Sequence, residues 1–468
     1  MTRAAVLALL AASLFAAESD GTTPLHRAAW RDDLAAVRQL LKDGADAKAA
    51  NRYGVTPLSL ACTNGNAAMV ELLLEAGADP NTTQPGGETA LMTCARAGNT
   101  EAVKALLRRG ADVHAKENHR GQNALMWAAA EGHAEVIGVL VAAGADVHSR
   151  LGSGYTPFLF AVREGKTGAV KALLKAGANV NEIIEAPPTR SKLASGAGFP
   201  KPATSALILA VINGHFELAA FLLDQGADPN WTGPGYTALH AVTWVRKPGG
   251  GDNDPAPQGS GRLTSLDMVR KLAEKGADLN ARMTKKVNVG LTGLNTTGAT
   301  PFVMAARTGD AELMRLLAKL GADPLLPTAD GSTPLIVAAG LGTRSPGEDA
   351  GTESEVLEAV QVALELGNDI NAVDNNGETA MHGAAYKNCP SVVEYLAAKG
   401  ADPSVWNRPN RYGWTPLTIA RGYRFGNFKP SAVTVAAIEK VMKQAGLPIP
   451  PDVKPGEIRN SNYTAPGR

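Results

Sequence analysis

The strongest constraint on this chain is that it repeats itself at a fixed spacing. "GTTPLHRAA" at Gly21 returns as "GVTPLSLAC" at Gly54, "GETALMTCA" at Gly87, "GQNALMWAA" at Gly121 and "GYTPFLFAV" at Gly154. It recurs at Gly235, Gly298, Gly331, Gly377 and Gly413, and as "ATSALILAV" with Ala203 in the glycine position. Spacings of 33 or 34 residues dominate. A second signature follows each repeat: "GADPN" at Gly77 and Gly226, "GANVN" at Gly177, "GADLN" at Gly276, "GNDIN" at Gly367. A period of this length marks an array of supersecondary units, each too small to bury its apolar face alone.

The chemistry of one repeat predicts a helical hairpin. Thr-Pro-Leu places a hydroxyl N-cap ahead of a proline in the first helical turn. The narrow side chains that follow let a neighbouring helix approach closely. After a glycine turn, "AAMVELLLEAG" and "TEAVKALLRRG" carry the apolar spacing of a second helix. The glycine behind it is a C-cap signal, and Asp-x-Asn favours a turn.

The T-P-L-H and G-A-D-x-N pattern at this period resembles the ankyrin repeat over about eleven units from Gly21 to Gly446. The resemblance implies an all-α solenoid with units near 21–53, 54–86, 87–120, 121–153, 154–202, 203–234, 235–297, 298–330, 331–376, 377–412 and 413–446. Departures are Ala203 for glycine, Gln122-Asn123 in the fourth unit and the altered last unit. It also implies a concave face lined by hairpin fingers and first helices, extended over roughly 100 Å if each helix is about 10 Å across. Residues 447–468 read as a flexible tail.

Residues 1–17 read as a signal peptide: Arg3, then a short apolar run from Ala4 to Ala17, too short to span a bilayer. The alternative is an uncleaved anchor or an extra helix on the first layer. Cleavage places the mature chain, 18–446 plus the tail, in the periplasm or outside the cell. With 46 basic against 45 acidic residues, the chain has no nucleic-acid footprint, and no other segment is long enough to insert in a membrane.

Large insertions interrupt the period in the central repeats. About sixteen residues enter the finger "EIIEAPPTRSKLASGAGFPKPAT", and about eighteen enter the turn of the seventh repeat around residues 247–261. Roughly a dozen enter the finger "ARMTKKVNVGLTGLNTTG", and about thirteen enter the ninth repeat at "GLGTRSPGEDAGTESEV". Such loops are either tolerated surface or a binding centre.

In the ankyrin register, the slots facing the groove hold Trp30, Tyr53, Tyr155, Tyr236, Trp244, Tyr386, Tyr412, Trp414 and Tyr423, nine of the fourteen Trp and Tyr residues. Arg96, Arg163 and Arg307 share the row, and Arg246 stands beside Trp244. Trp, Tyr and Arg dominate protein interfaces, so the partner-binding candidates are Tyr155, Arg163, Tyr236, Trp244, Arg246, Arg307 and Tyr386. Trp244 is the leading one.

Catalytic signatures are absent: no H-E-x-x-H, G-x-S-x-G or phosphate-binding G-x-x-x-x-G-K-[ST] occurs. His26, His240 and His382 fill the T-P-L-H slot, His133 and His215 the Gly-His turn, and His114 and His148 sit one layer apart. Asp252 and Asp254 lack the other oxygen ligands of a Ca²⁺ loop. No metal, cofactor or small-molecule ligand is expected. Cys62 and Cys94 fall in adjacent layers, too far apart to pair if the layers are about 10 Å apart, so three thiols are expected, with Cys389 the most accessible. The function expected is a scaffold that binds a protein partner. A rigid spacer without a site, or an enzyme housed in the insertions, are the alternatives.

Overall fold

Most repeats begin where a threonine hydroxyl accepts from an N–H of the first helical turn. In the computed structural model, Thr23, Thr56, Thr156, Thr300, Thr333 and Thr415 are N-caps with proline in the first turn, and Asn123 caps the fourth inner helix in threonine's place. The structure describes residues 18–185, 202–248, 257–287, 293–424 and 429–451. Residues 1–17, most of the finger insertion after Glu185, Asp252 and Asp254, and the segment from residue 452 lie outside the described residues.

Inner helices run from Pro24–Trp30 and Pro57–Asn64 through to Ala380–Lys387 and Pro416–Ala420, each followed by an outer helix such as Ala67–Glu75 or Glu353–Glu365. Among the described residues these make eleven helical pairs, numbered in chain order. The molecule divides into two compact units, residues 1–210 and 211–468. Within each, inner helix stacks on inner helix and outer on outer. The result is an all-α repeat solenoid. Its described residues contain isolated bridges, Thr83 with Thr89 and Ile183 with Ser205, but no extended strand.

Inner helices are buried almost all round because they are packed on both sides: every residue of Pro301–Arg307 is buried. Outer helices bury one stripe, as Met69, Val70, Leu73 and Leu74 show. Burying one such Leu or Val side chain contributes about 1.5–3 kcal/mol. The same small layer, repeated, replaces a single large core.

Polar groups set how successive layers meet. The asparagine of G-A-D-x-N reaches into the next layer: Asn81 Nδ2 donates to the carbonyl of Gly110 (3.0 Å) and its Oδ1 accepts from Asp112 N–H (2.8 Å). Asn230 makes the same pair of bonds to Gly276 and Asp278. Asn280 accepts from Asp323 N–H, and Asn371 from Asp402 N–H. The histidine of T-P-L-H works inward. His26 Nδ1 engages Thr23, and Nε2 lies 2.9 Å from the next layer's Val55 carbonyl. His240 repeats this with Thr237 and Ala299. Burial holds His240 at a pKa of about 4, so it is neutral in the stack.

Insertions leave the bases of their fingers intact. Ile184 N–H and Ala203 N–H close the hairpin beneath the first insertion, with bonds to Thr204 and Ile184 carbonyls. Ala203 takes φ +63° there, the left-handed conformation that glycine supplies elsewhere. Met283 N–H to Ala299 and Gly298 N–H to Met283 close the finger of pair seven in the same way.

The cysteines correct the expectation of three thiols. Cys62 and Cys94 form a disulfide, their Cα atoms 4.5 Å apart. They lie on the inner helices Pro57–Asn64 and Ala90–Ala97, which bury small residues such as Ala61 and Ala95 beside the cysteines. The uniform layer spacing assumed from the repeat overstates the distance there. Cys389 is buried rather than accessible, and burial pushes its thiol up to about 12. Thiol titration of the unreduced, denatured chain is therefore expected to count one group, rising to three after reduction. Three without reductant would contradict the pairing.

Candidate binding site on the inner helices

The candidate residues divide between the two compact units. In the first, Tyr155 is half-buried against Phe160, ring centroids 5.3 Å apart, beside a cluster of Met126, Leu151 and Phe160. The Arg163 guanidinium lies 5.4 Å from the Tyr155 ring and 4.9 Å from Phe160, and it donates to Glu164. Trp127 belongs to the same patch, under Arg96 at 4.9 Å, although the expected slots do not include it. Its signal was available: with Phe160 it is one of two aromatic rings at this position of the motif.

In the second unit, the remaining candidates are less exposed than the register implies. Tyr236 is fully buried, with Trp244 edge-on at 5.0 Å. Arg246 is spent on structure: it donates to Asp310 (2.6 Å), to Ser265 (3.0 Å) and to Glu312, which ties pair seven to pair eight. Lys247 beside it bonds Glu355 at 2.5 Å, and this cation holds the Glu355 carboxyl down at about 2. On the return leg of the same insertion, Ser260 meets His215 (2.9 Å) and Arg262 N–H meets Glu217 (2.6 Å). The long turn is thus braced on pairs six, eight and nine.

Arg307 and Tyr386 are buried as well, which corrects their placement on an open face. The ninth-pair insertion covers Arg307. Asp349 descends from it to accept from Arg307 at 2.6 Å, with Lys387 Nζ 3.7 Å away and donating to the Ala350 carbonyl. All three side chains are about 5% exposed or less. Burial lowers the Lys387 pKa. Buried clusters of this kind hold only while complete, since removal of one partner typically costs about 3–5 kcal/mol.

Tyr386 lines a cavity between pairs nine and ten. The finger insertion of pair seven reaches the turn insertion of pair nine, where Gly293 N–H donates to the Gly342 carbonyl at 2.7 Å. Beside this junction is a cavity of about 580 Å³ lined by Lys286, Asp330, Arg344, Glu378, Tyr386 and Arg411 among others. Glu378 is buried; its Oε1 accepts from Tyr386 (3.1 Å) and Asn410 (2.9 Å), while Oε2 has no partner. Burial, with the Asp374 carboxylate adding to it, pushes Glu378 up to about 8. At neutral pH it is mostly a neutral acid. Asp374 itself is satisfied by Ser332 (2.8 Å) and the N–H groups of Asn376 and Glu378.

The sequence reading missed Glu378, Arg344 and Lys286. One signal existed: the position after the repeat glycine holds an acid only in Glu88 and Glu378, and of the two Glu378 is buried. Among the described residues no group of three His, Cys, Asp or Glu is placed to hold a metal ion, and no helix is long and apolar enough to cross a membrane.

The chain belongs to the ankyrin-repeat family. Models of ankyrin repeats match residues 3–84, 91–184 and 351–428 in three-copy form, 291–338 as multiple copies and 204–233 as a single repeat. It is similar to the human "Ankyrin repeat and SOCS box protein 16", 33% identical over 56% of this chain and 58% of the relative. It is also similar to the mouse "B-cell lymphoma 3 protein homolog", 32% identical over 47% of this chain and 40% of that protein. The chain spans about half the length of the curated relatives it matches first. Ankyrin repeats generally mediate protein–protein interaction, and proteins of the family are typically non-enzymatic scaffolds.

Glu378 makes stability pH-dependent with a definite sign. Its folded pKa lies above the usual value of 4.5, so the contribution is fully present below about 4.5 and is lost as pH rises to about 8. Glu378→Gln keeps an acceptor for Tyr386 and Asn410 but cannot ionise. The denaturation midpoint of the wild type is expected to fall between pH 5 and 8 relative to Glu378→Gln, by on the order of a few kcal/mol. Parallel pH profiles would contradict the assignment.

Proposed function

We propose that the protein is an exported, non-catalytic scaffold that binds a partner protein through its inner-helix face and the insertions of the central repeats. The observation that carries this reading is the cavity where the insertions of pairs seven and nine meet over inner helices nine and ten. Isolated tolerated loops have no need to contact each other; these two are hydrogen-bonded and border a polar cleft. Binding energy comes from that cleft and from the half-buried rings and guanidinium groups of Tyr155, Trp127 and Arg163 in the first unit. Arg246 braces the long turn and Trp244 packs on the buried Tyr236, rather than meeting the partner.

Export is supported by the leader pattern of residues 1–17 and by the Cys62–Cys94 disulfide, a bond that persists in oxidising compartments. The family match begins at residue 3, within that leader. The N-terminus of the chain recovered from cells decides whether those residues are removed or kept as part of the first layer; removal near residue 18 is expected.

The docking face is tested with a photo-crosslinking side chain placed at Arg344, beside the cavity, or at Lys319, exposed on the outer helix Ala311–Leu320. A discrete partner adduct from position 344 and none from 319 is the expected result in native extract. Equal labelling from both positions, or none from 344, would count against the inner-helix face and favour a spacer.

A further inference from the structure

A protein-docking surface is not chemically neutral at this cavity. Resting on the reading just given, we propose that the cavity between pairs nine and ten receives a carboxylate side chain from an acidic, extended segment of the partner protein. Three cations line it, Lys286, Arg344 and Arg411. Elsewhere in this unit the basic groups Arg246, Lys247, Arg307 and Lys387 are committed to carboxylates. Lys286 and Arg344 are exposed and have no acidic partner among the described residues.

The insertions position these charges. Arg344 follows Thr343, whose hydroxyl bonds Asp349 (3.3 Å), and Gly342, whose carbonyl holds Gly293. Its guanidinium lies against Gly293, where an added Cβ would stand 3.2 Å from Nε. Arg411 is fixed by its bond to Asn376 and by stacking at 4.7 Å on Tyr412. Cations held in place by a pre-formed wall lose little freedom when an anion arrives.

Glu378 sets the pH range over which the cavity tolerates an anion. Tyr386 and Asn410 already occupy Oε1, so the proton of the neutral acid belongs on Oε2, which has no acceptor in the protein. Oε2 is itself buried, so Glu378 acts on a bound anion through its charge: while neutral it does not repel one. Asp330, held by Asn295 and Asn376, stands in the same wall and disfavours a doubly charged phosphate. The charged and titratable groups around Glu378 are Asp374, Tyr386, His382 and Arg411, with Lys286, Arg344 and Asp330 elsewhere in the cavity wall. Glu378 gains a negative charge as pH rises past about 8, so affinity for an anion falls there.

The test uses the full chain and a fluorescein-labelled, end-blocked hexaglutamate, followed by anisotropy at low ionic strength. Hexaglutamine, a phosphoserine peptide and free glutarate serve as comparisons. Hexaglutamate is expected to bind at least tenfold more tightly than hexaglutamine, and Lys286→Ala/Arg344→Ala to lose at least tenfold; both positions are exposed, so folding is preserved. From pH 6.5 to 9, binding by the wild type should weaken about fivefold, and by Glu378→Gln less than twofold. Unchanged affinity in the double variant would overturn the proposal, as would tighter binding of the phosphopeptide or of glutarate. If position 344 still crosslinks a partner while hexaglutamate fails, the carboxylate assignment falls and the docking reading stands. If hexaglutamate binds as described and no partner crosslinks there, the cavity is an acid site and the docking reading is what falls.

Discussion

Every outer helix ends with carbonyl groups that its own turns cannot satisfy. In this protein an asparagine from the preceding layer takes one of them. Asn81 bonds Gly110 across 29 residues of chain, and Asn230 bonds Gly276 across 46. The intervening chain differs in length because pair seven carries its insertion there, yet the bond is the same. This polar bridge, with the histidine and threonine contacts between inner helices, specifies how layers meet independently of the loops. The insertions are therefore free to grow only from finger tips and helix turns, where they add structure without displacing the stack.

What they add is concentrated in the second compact unit. The long turn of pair seven is braced through Arg246, Lys247 and Arg262, and the ninth-pair insertion is anchored by Asp349 between two buried cations. Desolvated charges of this kind are costly unless their geometry is maintained, so they act as registration points more than as sources of stability. With both loops positioned, the finger of pair seven and the turn of pair nine meet at Gly293 and Gly342, and a polar cavity results.

The repeat, its caps and the all-α architecture were legible because they depend on local chemistry: threonine at the N-cap, proline after it, glycine at the turn. The site was legible only in part. Tyr386 was visible as an aromatic in a groove slot, but its burial follows from Asn410 and Glu378, which belong to different parts of the repeat pattern. Arg307 looked free because its partner, Asp349, lies 42 residues away inside an insertion that has no counterpart in the period. Cys62 and Cys94 appeared too distant because one mean layer spacing was applied where small side chains let helices close in. A periodic pattern predicts the average layer well, and the functional features here arise where layers depart from the average.

The central claim is that the insertions of pairs seven and nine form one ordered structure over the inner helices. Hydrogen exchange of segments 293–298 and 341–350 tests it most directly, because a hydrogen-bonded, packed loop opens only with the unit that holds it. Protection comparable to that of the inner helix Ala380–Lys387 is the expected result. Exchange of both segments at the rate of an unstructured chain, with the helix still protected, would contradict the account.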